Sequence, residues 1–242
     1  MRAIRNHVLA AVACLVAIGV ATREAHALTA SQEKDEILSL LGYSIAYAGW
    51  QTGLAPARGY NVASVLVDPY GNIVFWGRNC VTQQSDITRH ADVVAMEKYL
   101  DTQAGLRYLS SYSLYTTLDP CAQCAGMAIM GYLSRVVYGL TDARSGQVLQ
   151  IYLNAGKSFS IPTPVAAPTT YRTQLEDAFR QSGMSSVEDW LFSTTAKNTF
   201  QAAHDRLAYE YKVQYSQNST VLDQARQVLR DVEARSPSVC SQ

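Results

Sequence analysis

The sequence has no excess of charge of either sign, since 20 Lys and Arg residues balance 20 Asp and Glu residues. A protein that binds a large RNA normally carries a basic face, because contacts to phosphates dominate the affinity. The balanced total charge does not indicate such a basic face. The sequence also lacks an internal repeat and an apolar run of the roughly 20 residues that a membrane-spanning helix needs.

The longest apolar run covers only Val8 to Ala21, close to the amino terminus. A basic end precedes it and the small-residue motif A-H-A at 25–27 follows it, as in a secretory signal peptide. We expect residues 1–27 to be cleaved, which makes the protein periplasmic or secreted with no membrane attachment afterwards. The remaining chain has 17 basic and 19 acidic residues, a net charge of −2.

Histidine and cysteine are scarce, which narrows the choice of metal ligands. After residue 27 only His90 and His204 remain, together with Cys80, Cys121, Cys124 and Cys240. An even number of cysteines in an exported protein favours disulfide bonds. Two interpretations are open: two disulfide bonds, or two metal thiolates with one bond between Cys80 and Cys240.

The spacing of apolar and turn residues predicts an α/β protein. Thr29 to Gln32 fits a helix-capping box that opens a first helix. Four segments have the composition of strands, and the first two are joined by hairpin turn residues: 61–67, 73–76, 112–118 and 135–140. Two further helices are predicted between them, at 88–100 and 121–133. This order favours a three-layer α/β/α sandwich with helices on both faces of one sheet.

The last third of the chain differs in composition. Residues 161–170 contain three prolines and are predicted to be an extended linker. It would join a domain at 28–160 to a helical C-terminal extension at 171–242.

Cys121 and Cys124 are three residues apart at the predicted start of a helix, so both sulfurs can face one point. A helix N-terminus favours the thiolate form of cysteine. His90 lies at the start of the preceding predicted helix, which would place two helix N-termini side by side. Three protein ligands leave the fourth position of a tetrahedral zinc ion open, as in a catalytic site. A redox pair or a disulfide is the other interpretation of the C-x-x-C motif.

His90-Ala91-Asp92 with P-C-A-Q-C at 120–124 resembles the H-x-E…P-C-x-x-C signature of zinc-dependent base deaminases. The segment Thr117–Ala128 is similar to the branch that contains guanine deaminases and tRNA adenosine deaminases. Asn79, the approach at 86–91 and the strand at 135–139 extend the similarity, which covers roughly residues 31–150. The resemblance implies a cytidine-deaminase-like sandwich, a homodimer, and Zn²⁺ bound by His90, Cys121 and Cys124.

The activity that this resemblance implies is hydrolytic deamination of a nucleobase, a nucleoside or a related small heterocycle. Asp92 would transfer protons, and Asn79 would contact the ring or the ribose. The family pattern has glutamate where this chain has Asp92, whose side chain is shorter by one C–C bond of about 1.5 Å. We therefore expect a helix closer to the metal, a bridging water, or slow catalysis. Asp92→Glu should raise the activity if the helix backbone occupies the family position.

Two alternatives remain. In the first, the protein is a catalytically silent zinc-binding fold, in which Asp92 marks the loss of proton transfer and the extension serves a binding role. In the second, more distant one, Cys121 and Cys124 form the centre of a thiol–disulfide oxidoreductase. The absence of a Trp-Cys motif argues against this second alternative.

Overall fold

The structure is a computed structural model that describes residues 28–53, 58–156 and 160–242. The expected signal peptide, residues 1–27, lies outside the described residues. Within the described part of the chain, every helix is too short or too polar to cross a lipid bilayer.

A single five-stranded sheet forms the centre of the fold. Its strands are β1 (Ala63–Val67), β2 (Ile73–Arg78), β3 (Ser113–Leu118), β4 (Arg135–Leu140) and β5 (Thr163–Ala166). Their order across the sheet is β2-β1-β3-β4-β5. Strand β1 is antiparallel to both β2 and β3, whereas β3, β4 and β5 run parallel to one another.

Helices cover both faces of this sheet. They are α1 (Ala30–Ala48), α2 (Ala91–Thr102), α3 (Ala122–Met130), α4 (Val148–Asn154), α5 (Thr170–Ser182), α6 (Val187–Trp190), α7 (Thr194–Asp205) and α8 (Ser219–Glu233). Helix α1 packs against β1, β3 and β4, while α2 packs against β1 and β2. The three-layer α/β/α sandwich predicted from the sequence is confirmed.

Successive residues of the inner strands supply two separate hydrophobic cores. Val65 and Tyr115 belong to the core around α1, whereas Leu66 and Leu114 belong to the core under α2 and α3. Side chains along a strand point alternately to opposite faces, so a sheet covered on both sides needs apolar residues at consecutive positions. The consecutive apolar residues 65–66 of β1, 114–115 of β3 and 136–137 of β4 follow from this.

Helix α1 lies between the sheet and the C-terminal helices. Its capping box forms as predicted: Gln32 N donates to Thr29 Oγ1 at 3.3 Å, and Thr29 N donates to Gln32 Oε1 at 2.9 Å. Leu175, Phe200 and Leu222 of the extension pack in the same core as α1. The extension therefore forms an additional layer over α1 and shares its core with the sandwich.

The predicted linker at 161–170 is wrong. Its central residues, Thr163–Ala166, form β5, which pairs with β4 along Arg135–Tyr138. Proline lacks an amide donor, but an edge strand needs hydrogen bonds on one side only. Pro164 therefore fits at the edge of the sheet, and the proline-rich segment belongs to the sandwich.

The C-terminal end of the chain is tied to the other edge of the sheet. Cys240 is disulfide-bonded to Cys80, with their Cα atoms 5.9 Å apart, and Arg78 N donates to Cys240 O at 2.6 Å. This is the pair that the sequence predicted. The bond encloses 160 residues and attaches the extension to the loop that leads to His90.

Replacing Cys240 by serine should destabilise the oxidised protein by about 4 to 5 kcal/mol, because the bond closes a very long loop in the unfolded chain. Chemical denaturation of Cys240→Ser and of the parent measures this difference. A reductant should lower the stability of the parent to that of the variant and leave the variant unchanged. Equal denaturation midpoints for the oxidised parent and the variant would contradict the prediction.

Candidate metal centre

Two helix N-termini meet at one edge of the sheet. His90 is the N-cap residue of α2, and Cys121 is the N-cap residue of α3, three residues after the end of β3. Helix α2 lies unusually close to β2 at Gly77. A Cβ atom there would come within 2.7 Å of the Ala91 carbonyl oxygen and 2.7 Å of the Ala95 amide nitrogen. Only glycine allows this contact, which sets the position of the first turn of α2.

His90, Cys121 and Cys124 bring three ligand atoms together. The Cys121 and Cys124 sulfurs lie 3.4 and 3.6 Å from His90 Nδ1, and 3.7 Å from each other. Tetrahedral zinc with bonds of about 2.3 Å to sulfur and about 2.0 Å to nitrogen requires separations of about 3.6 and 3.8 Å. The three residues therefore fit zinc, which is the cofactor of this site. A disulfide would need its sulfurs about 2.05 Å apart.

The two thiols differ in acidity. The hydrogen bond from Cys124 and the nearby His90 lower the pKa of Cys121 to about 4, against the opposing effect of burial. The pKa of Cys124 is raised, because its proton is shared with Cys121 and because it is buried. Cys121 is thus the readier thiolate, and its place at the start of α3 adds a favourable interaction with the helix dipole.

Asp92 lies in the first turn of α2, directly beside the three ligands. Asp92 is 4% exposed, and its carboxylate accepts a hydrogen bond from Ser64 Oγ, with Thr116 and Cys124 also close enough to lower its pKa. Burial raises its pKa, and these three residues partly offset the effect. The contact with Cys124 shows that the shorter side chain reaches the metal centre.

Asn79 follows β2, is buried, and also lines the site. Its Oδ1 atom accepts hydrogen bonds from the backbone amides of Tyr60 and Val81 at 3.2 and 3.4 Å. These bonds fix the orientation of the side-chain amide. The Nδ2 group is therefore the part of Asn79 that remains to donate a hydrogen bond to a ligand.

A cavity of about 190 Å³ opens over the three ligands and is lined by Asp92 and Asn79 as well. Its wall is acidic: Asp119, Asp142 and Glu188 line it, and within the described ranges no Lys or Arg does. Asp119 Oδ2 accepts from Gln147 N at 2.9 Å, and Asp142 Oδ1 accepts from two backbone amides. The carboxylates of Asp119 and Asp142 are thus occupied by hydrogen bonds from the backbone amides of the neighbouring loops.

Glu188 is different, because it comes from α6 in the extension. Its Oε2 atom accepts from Ser186 Oγ at 3.1 Å, and Oε1 has no hydrogen-bond partner among the described residues. The Asn61 side chain holds this part of the extension in place by donating to Leu191 O at 3.1 Å. Glu188 therefore offers an acceptor at the wall of the cavity that Asn79 also lines.

The structure brings together all five residues that the sequence placed at the site, namely His90, Cys121, Cys124, Asp92 and Asn79. It places Cys80 and Cys240 outside the cavity, in the disulfide bond. Two residues at the site were not predicted from the sequence. Ser64 lies within the predicted strand 61–67 and belongs to no motif. Glu188 lies in a short helix that also has no motif. The serine cap at Ser186 is the only local signal near Glu188.

We predict about one zinc ion per chain in protein purified without added metal, because three ligands converge on one point. Cys121→Ser should lose most of this zinc in elemental analysis. The double variant Cys80→Ser/Cys240→Ser is the matched control, since it removes two cysteines outside the centre and should keep its zinc. Loss of zinc in the control with retention in Cys121→Ser would contradict the assignment of the ligands.

Comparison with known proteins shows what this region is similar to. Residues 42–140 match the family model described as the cytidine and deoxycytidylate deaminase zinc-binding region. The chain is 38% identical over 87 residues to a tRNA-specific adenosine deaminase of Haemophilus influenzae, an alignment that covers 36% of this chain and 50% of that protein. It is 36% identical over 92 residues to a tRNA(Ile)-lysidine synthase of Deinococcus deserti, covering 38% of this chain and 17% of that protein. The chain thus spans half or less of the length of these relatives.

Solved structures are similar at lower identity. A guanine deaminase from Nitrosomonas europaea is 18% identical with a TM-score of 0.40, over 73% of this chain and 86% of that chain. A diaminohydroxyphosphoribosylaminopyrimidine deaminase/5-amino-6-(5-phosphoribosylamino)uracil reductase from Thermotoga maritima is 18% identical with a TM-score of 0.47, over 69% of this chain and 43% of that chain. The identities and TM-scores of these structures are low. The family of this region is therefore identified from the sequence match and from the three ligand residues. Residues 42–140 of this chain belong to the cytidine and deoxycytidylate deaminase family, as its zinc-binding region.

Proposed function

We propose that this protein is an exported hydrolytic deaminase of a free nucleobase, a nucleoside or a related small heterocycle. One observation carries the proposal: the buried Asp92 carboxylate lies against the metal ligands at the floor of a cavity. A proton-transferring group must lie within hydrogen-bond reach of the reacting atoms, and the position of Asp92 beside the ligand Cys124, in the lining of the cavity, supports this role.

The residues around the cavity supply the rest of the chemistry. Zinc, when bound, supplies the Lewis acidity that makes water a nucleophile at neutral pH. Asp92 would accept the proton of that water, deliver it to the ring nitrogen, and then help to protonate the departing ammonia. Asn79 would donate to a ring or ribose oxygen, and Glu188 would accept from a ring N–H or amino group. Together, one donor and one acceptor would orient a flat polar ring.

The charge of the cavity supports a small substrate in preference to a polynucleotide. Within the described ranges, four carboxylates and no Lys or Arg line the cavity. Phosphate groups are bound by Lys, Arg and backbone amides, so an acidic wall disfavours substrates that carry them. The Haemophilus influenzae relative is named as an adenosine deaminase specific for tRNA. This chain has a net charge of −2 after residue 27, so it has no excess of basic residues that would favour binding to RNA.

The disulfide bond supports the proposal of export. Disulfides persist in oxidising compartments and are rare in a reducing cytosol. The bond between Cys80 and Cys240 therefore agrees with the secretory signal expected at residues 1–27. A periplasmic or secreted enzyme would meet free bases and nucleosides.

A second candidate is a catalytically silent zinc-binding protein. The observation that favours it is that Asp92 is buried and already accepts a hydrogen bond from Ser64, as a purely structural carboxylate would. A panel of free bases and nucleosides, assayed for ammonia release, separates the two. Release from at least one compound supports the deaminase, and no release from any compound by the zinc-loaded protein supports the silent fold.

Asp92→Asn should lower kcat by about 10²- to 10⁴-fold, the usual contribution of a positioned general acid–base. The amide keeps the shape and the zinc ligands but cannot accept a proton. Ammonia release by protein with a verified zinc content measures the effect. Full activity in Asp92→Asn would show that another group transfers the proton.

Glu188→Gln should raise KM about tenfold, since a hydrogen bond to a charged group contributes about 1.5 kcal/mol or more. We expect kcat to change little, because Glu188 lies away from the reacting carbon. Asp189→Asn is the matched control, as it removes the same charge from the next, exposed position of α6. Equal KM values for the two variants would exclude Glu188 from substrate binding.

A further inference from the structure

Ser64 of β1 lies fully buried against Asp92. Its Oγ atom donates a hydrogen bond to Asp92 Oδ1 and lies 3.2 Å from Thr116 Oγ1 of β3. Ser64 and Thr116 are partners in the register of the sheet. A hydroxyl with one hydrogen and a fixed backbone has few orientations, so the Ser64–Asp92 bond limits where the carboxylate can point.

The distance between α2 and β1 is set by the backbone. Ser64 pairs with Gly77 across β1 and β2, and Gly77 is the residue against which the first turn of α2 packs. The helix therefore cannot approach further, and moving it away would open a void above a glycine. The space between position 92 and position 64 is consequently fixed in size. Aspartate and serine together fill it, with their oxygens in contact.

From this geometry we propose that Ser64 is a positioning residue for Asp92, and that the two residues form a size-matched pair. The Ser64 hydroxyl occupies space that one further methylene at position 92 would need, and it orients the shorter carboxylate beside Cys124. This inference rests on the proposed function, because it assigns Asp92 to proton transfer. It also changes the expectation for Asp92→Glu, which should be harmful while Ser64 is present.

A double-mutant cycle tests the pair. Ser64→Ala, Asp92→Glu and Ser64→Ala/Asp92→Glu are compared with the parent for kcat, KM, zinc content and thermal unfolding. Ser64→Ala should lower kcat about tenfold or more, since small displacements of a catalytic group are costly, with KM and zinc content unchanged. Asp92→Glu should lower both kcat and the unfolding temperature. The double variant should recover both, which is strong non-additivity.

Ser44→Ala is the matched control, because it removes an equally buried hydroxyl, bonded to Leu40 O of α1. It should leave kcat unchanged. Thr116→Val provides a second, nearly isosteric variant on the opposite side of Ser64 and should lower kcat less than Ser64→Ala does. If Ser64→Ala has the kcat of Ser44→Ala, or if the effects of Ser64→Ala and Asp92→Glu simply add, the pair is not size-matched and the proposal is overturned.

The unfolding measurements keep this inference separate from the proposed function. If the parent releases no ammonia from any compound, the deaminase proposal fails, and the unfolding temperatures alone decide whether the pair exists. Recovery of stability in the double variant then supports the size match without catalysis. Additive losses of stability overturn it in either case.

Discussion

The contact of α2 with the sheet at Gly77 is the constraint on which the metal centre depends. Since a side chain at position 77 would collide with the backbone of α2, glycine lets the helix begin almost on top of β2. His90 and Asp92 occupy the first turn of that helix, and Cys121 and Cys124 begin α3 beyond the end of β3. Cysteine and histidine side chains are short, so the three ligand atoms meet only because both helix starts lie at one edge of the sheet.

Burying a carboxylate beside two cysteine sulfurs is costly unless hydrogen bonds compensate. Ser64 of the sheet donates one to Asp92, and Thr116 lies beside it, so the sheet supports the first turn of α2. The hydrogen bond from Ser64 also bears on how Asp92, which is one methylene shorter than the glutamate of the family pattern, is held at the metal centre. In this fold α2 lies close to the sheet at Gly77, and Ser64 holds the carboxylate of the shorter side chain.

The sequence predicted most of the sandwich and all three metal ligands, because both depend on local patterns. The capping box at Thr29 and the apolar segments of the strands are set by neighbours in the chain. The prediction of a linker at residues 161–170 was wrong because proline normally ends strands. Pro164 is compatible with β5 only because this strand lies at the edge of the sheet. Ser64 and Glu188 could not be found, since their roles arise from packing between segments far apart in sequence.

The C-terminal extension links stability to the shape of the site. Its helices bury α1, its last cysteine is bonded to Cys80 before the His90 loop, and α6 brings Glu188 to the cavity wall. The family match ends at residue 140, so this wall is not part of the region that holds the metal. The metal ligands therefore lie in the family region, while part of the cavity wall comes from residues that follow it. A loss of packing under α6 would change the shape of this wall before it changed the metal ligands.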